Sequence, residues 1–216
     1  MKQLFFLFML ATGFSACNNN SESSITKDSA DHNAHIQGEK RGQDPVSSMH
    51  NAMTEMMKHM KQMQPTGDPD HDFAMMMKHH HEGAIKMAKI EIENGKDEKM
   101  KIMARKMLED QQKEIQAFDA FLEKNKPSGS SDYGQRAAGM ATEVHQDYIA
   151  SSSIDAMFAS MMIPHHKDGI KMSMEYLPVA RQQQLKVVAN NMISSQQKEI
   201  QELDQWLESN KTNVTQ

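Results

Sequence analysis

The chain has 216 residues, of which 22 are Met and 11 are His, and its formal net charge is −5. This acidic balance argues against nucleic acid as a partner, because no basic surplus is present to neutralise phosphates. A single Cys excludes a disulfide framework, an iron–sulfur cluster and a thiolate zinc site. The donor groups present in excess are therefore thioether and imidazole.

Residues 1–16 predict export. A positive charge at Lys2 precedes an apolar run that is shorter than the roughly 20 residues needed to span a bilayer, which is typical of a signal peptide. The run ends on Cys17 and resembles the lipobox of bacterial lipoproteins, although an ordinary signal peptide with an incidental Cys is the alternative. We expect a lipid anchor on Cys17 and a periplasmic or cell-surface lipoprotein held at the outer membrane.

Residues 17–47 are polar and almost free of large apolar side chains, so they predict a flexible tether. An internal repeat follows, since a shift of 85 residues aligns 71–124 with 156–209 at about 21 identical positions. We divide the rest of the chain into a first Met/His helical unit (48–125), a linker (126–132), a second unit (133–210) and a tail (211–216). Each unit is predicted to contain three helices. Because the sequence shows no alternating β pattern of useful length, the predicted fold class is all-α.

The second helix of each unit carries imidazoles within an apolar stripe. At about 100° per residue, Met76 and His80 share one stripe with Met87, and Met77 and His81 form the neighbouring one. Flexible core filling by Met is the simpler interpretation of such a stripe. Thioether and imidazole without thiolate nevertheless suit Cu(I), and by the same softness Ag(I). The candidate ligands are Met76, Met77, His80, His81 and Met87, and their counterparts Met161, Met162, His165, His166 and Met172.

The third helix of each unit places polar residues in or beside its own apolar stripe. A buried polar group needs a partner, so these residues are expected to hydrogen-bond the imidazoles and fix their tautomers. They are Gln111, Glu114, Gln196 and Glu199. The leading helix of the first unit predicts an auxiliary metal site that comprises Met53, Met56, Met57, His59 and Met60.

The segment from Asp70 through the Met76-Met77-x-x-His80-His81 motif, followed by the Gln111-x-x-Glu114 pair, resembles the domain-of-unknown-function 305 family. Its ferritin-like helical members include CopM-like periplasmic copper-binding proteins. The resemblance covers roughly 69–124 and 155–209, in two tandem copies. It implies an exported, ferritin-like tandem helical bundle that binds copper and contributes to copper tolerance. We also expect a copper exporter or chaperone as a protein partner.

Enzymatic function is not expected. A di-iron centre of the ferritin-like type uses Glu-x-x-His pairs, and the sequence has none. Neither a nucleophile elbow nor an HExxH motif is present. The remaining alternative to copper binding is a Met-rich helical interaction module without metal-dependent function.

Overall fold

A computed structural model describes residues 44–140, 151 and 153–210. The expected signal peptide, Cys17 and the tail 211–216 lie outside the described residues. The described part of the chain is all-α and belongs to one compact unit, residues 42–216. Its helices are α1 (Pro45–Gln62), α2 (Pro69–Asn94), α3 (Glu98–Lys124), α4 (Tyr133–Met140), α5 (Ile154–Tyr176) and α6 (Gln183–Ser209). None of these helices combines the length and the apolar character needed to cross a membrane.

Short polar side chains begin most of the helices. The carboxylates of Asp44, Asp68 and Asp97 and the hydroxyl of Ser153 accept backbone N–H groups in the first turns of α1, α2, α3 and α5. Each such cap contributes about 1 kcal/mol to helix stability. Because Asp44 caps α1 and Pro45 supplies a preset φ, this helix begins within the stretch 17–47 that composition predicts as tether.

The two halves are arranged about an approximate two-fold axis. Helices α2 and α3 form one hairpin, α5 and α6 form the other, and α2 packs against α5. Asp70, at the start of α2, accepts the backbone N–H of Arg181 beyond the end of α5. Asp155, at the start of α5, accepts the backbone N–H of Lys96 beyond the end of α2. Helices α2 and α5 therefore run antiparallel.

The leading helices contact both central helices. Helix α1 packs mainly on α2 and also contacts α5, while α4 contacts α2 and α5 equally. The antiparallel arrangement divides the apolar core into two clusters. The first cluster surrounds the start of α2 and the end of α5, and it includes Phe73, Phe118 and Tyr176. The second cluster surrounds the opposite ends of the same two helices, and it includes Phe158 and Trp206.

Candidate metal centre

His80 and His165 meet where α2 crosses α5. Their rings stack with centroids 3.7 Å apart. The Nε2 of His80 lies 3.1 Å from the backbone carbonyl oxygen of His165, and the Nε2 of His165 lies 3.0 Å from that of His80. A carbonyl oxygen only accepts, so each Nε2 carries the proton and donates it. The two-fold axis therefore passes between two equivalent residues of the repeat.

The His80 ring is held neutral. It is only 1% exposed, and burial lowers its pKa well below the ordinary value, with the imidazoles of His165, His81 and His166 acting in the same direction. The Nδ1 of His80 is buried and has no hydrogen-bond partner. Because Nε2 carries the proton, Nδ1 presents its lone pair, which is the form in which imidazole binds a metal.

The second imidazole of each pair faces a carboxylate from the neighbouring helix. The Nε2 of His81 donates to Oε2 of Glu114 at 2.7 Å. The Nε2 of His166 lies 3.0 Å from Oε2 of Glu199, which is ion-pair distance without the alignment of a hydrogen bond. In both rings the Nδ1 atom is buried without a partner. A carboxylate on one ring nitrogen is the usual support of a metal-binding histidine.

The two glutamines approach the same region but do not hydrogen-bond these rings. Gln111 and Gln196 are buried, and the Oε1 of each has no hydrogen-bond partner. Gly169 makes room on α5, since a Cβ there would lie 2.7 Å from Oε1 of Gln196 and 3.0 Å from Cε1 of His80. With Glu114 and Glu199 the glutamines line a cavity of about 10 Å³ between α3 and α6, which is room for about one water.

The candidate thioether ligands are buried, with at most 2% exposure. Sequence spacing groups Met87 with Met76 and Met77, but the structure regroups them. Met76 and Met77 share the first cluster with Met172, and Met87 lies in the second cluster with Met161 and Met162. The reason is the antiparallel crossing, which brings residues after the histidine of one helix beside residues before the histidine of the other.

The auxiliary group on α1 is not assembled at one point. Met56 and Met60 are buried in the first cluster, where Met56 packs against Gly83 of α2. Met53 and Met57 are partly buried against the core. His59 is exposed and faces the ring of His79 instead, with ring centroids 5.9 Å apart. Helix α1 thus packs on α2 through its methionine face, and Met56 and Met60 lie in the same core cluster as Met76 and Met77.

Within the described ranges, no three His, Cys, Asp or Glu side chains converge as a preformed metal cage. A site at the crossing would therefore combine imidazole with thioether. Two contacts outside that crossing were not predicted from the sequence: the one between the buried carboxyl groups of Glu91 and Asp155, and the ring contact between His59 and His79. The repeat carried a signal for the first contact, since a shift of 85 residues aligns Glu91 with Tyr176. The second joins two helices and left no periodic signal.

Solved structures of CopM resemble this fold. The Cu(I)-bound form of CopM is 25% identical to the chain with a TM-score of 0.52, and the alignment covers 65% of this chain and 96% of CopM. The Cu(II)-bound form is 24% identical with a TM-score of 0.53, over 65% of this chain and 97% of CopM. The Ag-bound form obtained by co-crystallisation is 24% identical with a TM-score of 0.53, over 65% and 96%. No curated protein matches the chain.

The family comparison covers both halves of the chain. Residues 18–122 and residues 123–209 each match the family described as Domain of unknown function (DUF305). Together the two segments include every described helix. The chain therefore belongs to the DUF305 family, with two tandem copies of its domain.

Proposed function

We propose that this chain is an exported, non-enzymatic protein that binds copper and contributes to copper tolerance or trafficking. Copper is its cargo, and Cu(I) is the preferred oxidation state, with Ag(I) as a substitute. The proposed ligands are Met76, Met77, His80, His81, Met87, Met161, Met162, His165, His166 and Met172. Glu114 and Glu199 support the imidazoles, and Gln111 and Gln196 line the same region.

One observation carries the proposal. Imidazoles at the crossing use Nε2 toward a backbone carbonyl or a carboxylate, and the Nδ1 atoms of His80, His81 and His166 are buried without a partner. A buried polar atom without a partner costs roughly 1–3 kcal/mol, so a ligand that these atoms bind would stabilise the fold. Thioethers from both helices are buried in the two core clusters, which lie toward opposite ends of the α2–α5 pair.

The donor set favours a soft cation. Cu(I) and Ag(I) accept thioether sulfur together with imidazole, whereas Mg²⁺ and Ca²⁺ require oxygen ligands. The resemblance to CopM supports the same choice, because CopM has been solved in Cu(I)-bound, Cu(II)-bound and Ag-bound forms. Two antiparallel copies of the motif favour two metal positions, one at each end of the crossing.

The cellular setting follows from the residues before α1. A signal peptide over 1–16 would direct export, and a lipid on Cys17 would anchor the chain to the outer membrane, on its periplasmic or cell-surface side. A tether of about 30 residues would join this anchor to the bundle. A copper exporter or chaperone is the protein partner that fits this position. The alternative interaction module has less support, because Met49, Met56 and Met60 of α1 are buried within the bundle.

The test is competition for Cu(I) against a chromophoric chelator under reducing, anaerobic conditions. We expect the wild-type chain to take up Cu(I), and the variant with His80, His81, His165 and His166 changed to Ala to lose most of this uptake. A second variant, with Met76, Met77, Met161 and Met162 changed to Leu, keeps the side-chain volume and should weaken uptake by at least about tenfold. Undiminished competition by both variants would show that the site is wrongly assigned.

A further inference from the structure

A second group of metal-binding side chains lies on the surface formed by α1 and α2. His59 of α1 is exposed, and the side chains of His79 and Glu82 on α2 are 32% and 42% exposed. The His59 and His79 rings have centroids 5.9 Å apart and are tilted by 60°. These groups are open to solvent, in contrast to the imidazoles of the crossing.

Glu82 fixes which nitrogen of His79 is available. His79 precedes Glu82 by about one turn of α2, and the Oε2 of Glu82 lies 3.0 Å from the Nδ1 of His79. A carboxylate accepts, so Nδ1 donates to it and the neutral ring presents the lone pair of Nε2. A carboxylate in this position orients the rings of metal-binding histidines and increases their basicity. Glu82 is therefore a positioning residue for His79.

The spacing of the two rings suits a shared ion. When each imidazole nitrogen lies roughly 2.0–2.1 Å from one metal, the ring centres are on the order of 5–6 Å apart. The two rings supply nitrogen donors, and water oxygens can fill the remaining positions around the ion. Imidazole with oxygen ligands selects borderline divalent cations, among which Cu(II) binds most tightly.

We infer that His59 and His79, with Glu82 supporting His79, form a surface site for Cu(II) that is separate from the buried Cu(I) site. The inference rests on the proposed function for the choice of metal and extends it to the other oxidation state of copper. An exposed site at this position receives the hydrated ion directly. The candidate thioether ligands, in contrast, are buried inside the bundle and have almost no contact with solvent.

The second half of the chain has no counterpart of this site. The positions equivalent to His79 and Glu82 are Pro164 and Lys167, which supply neither an imidazole nor a carboxylate. Both lie in α5. One such site per chain is expected, although the crossing itself is two-fold.

The test is a Cu(II) titration of the full chain that is monitored by calorimetry and by electron paramagnetic resonance. The wild-type chain should bind one Cu(II) whose spectrum shows coupling to imidazole nitrogen, and the His59→Ala/His79→Ala variant should lose that equivalent. Glu82→Gln should weaken this site by about 10-fold to 100-fold while its stoichiometry is kept. His50→Ala, a change to another histidine of α1, is the matched control and should bind as the wild type does.

An unchanged number of Cu(II) equivalents and an unchanged spectrum in His59→Ala/His79→Ala would overturn the inference. So would an equal loss in His50→Ala. Cu(I) competition on the same variant separates this site from the buried one, because it should be unaffected. A chain that took up Cu(II) through His59 and His79 but failed to compete for Cu(I) would contradict the proposed function and leave this inference standing.

Discussion

Tyr176, near the end of α5, provides a neutral hydroxyl to a buried aspartate. Its Oη donates to Oδ1 of Asp70 at 2.5 Å, and the same oxygen accepts the backbone N–H groups of Arg181 and Gln182. Burial raises the pKa of Tyr176 far above its ordinary value, and the hydrogen bond to Asp70 adds to this effect. One end of the α2–α5 pair is therefore closed by a donor that does not ionise in the working range of pH.

At the opposite end, Glu91 occupies the equivalent position and faces Asp155. The Asp155 carboxylate accepts the backbone N–H groups of Lys96 and Asp97. Glu91 is fully buried, and neither of its oxygens has a hydrogen-bond donor facing it. Burial, followed by the charge of Asp155, raises the pKa of Glu91 to about 8, with Asp97 acting in the same direction and Lys101 opposing it. Glu91 is thus protonated at neutral pH and can donate to Asp155.

This carboxyl pair makes stability depend on pH. The folded pKa of Glu91 lies above its unfolded value of 4.5, so its contribution is fully present below pH 4.5 and is lost as pH rises through about 8. Between pH 5 and pH 9 the free energy of unfolding of the wild-type chain should fall by an amount on the order of a few kcal/mol because of Glu91. We expect this fall to be absent in Glu91→Gln, whose amide still donates and does not ionise. Denaturant unfolding across that range measures the free energy of unfolding at each pH.

The matched control is Glu93→Gln, a change to an exposed carboxylate on the same helix. This variant should keep the pH dependence of the wild-type chain. Identical pH profiles for Glu91→Gln and the wild-type chain would mean that the pKa of Glu91 is not raised in the folded chain.

At the scale of the elements, α1 is seated on α2 through a glycine. A Cβ at Gly83 would lie 2.7 Å from Sδ and 2.8 Å from Cγ and Cβ of Met56. Rotation about the side-chain bonds of Met56 can move the sulfur, but its Cβ is fixed by the backbone of α1. Close approach of the two helices therefore depends on the missing side chain at this position.

Gly83→Ala should separate α1 from α2. Overpacking costs typically 1–3 kcal/mol, and the higher helix propensity of Ala recovers up to about 1 kcal/mol, so a net loss of roughly 1 kcal/mol is expected in the free energy of unfolding. Gly139→Ala on α4 is the control, since among the described residues no atom from outside the surrounding turn of α4 lies within 4 Å of a Cβ there, and the change should be neutral or slightly stabilising. Equal effects of the two substitutions in denaturant unfolding would be inconsistent with this packing.

At the scale of the whole molecule, the antiparallel crossing explains which features the sequence could predict. Helical periodicity identified the stripe of His80 and Met76. Periodicity defines a face but not the partner of that face. That α2 packs on α5, and that Met172 joins Met76, depends on contacts between residues distant in sequence.

The contacts between helices were correspondingly harder to anticipate. Gly169, aligned with Ala84, was visible as a difference between the two copies, but its role in admitting Gln196 requires the position of α6. The ring contact of His59 with His79 likewise requires the docking of α1. The repeat made the fold predictable, and the assembly of the two copies determined which candidate ligands lie together.

The most direct test of copper binding by thioether and imidazole together is X-ray absorption on the Cu(I)-loaded chain. We expect sulfur and nitrogen scatterers around copper at the lowest loading. The control Met100→Leu/Met192→Leu, whose methionines lie in the core outside the proposed ligand set, should show the same number of sulfur scatterers. A Cu(I) shell composed only of nitrogen and oxygen, or a loss of sulfur in that control, would contradict it.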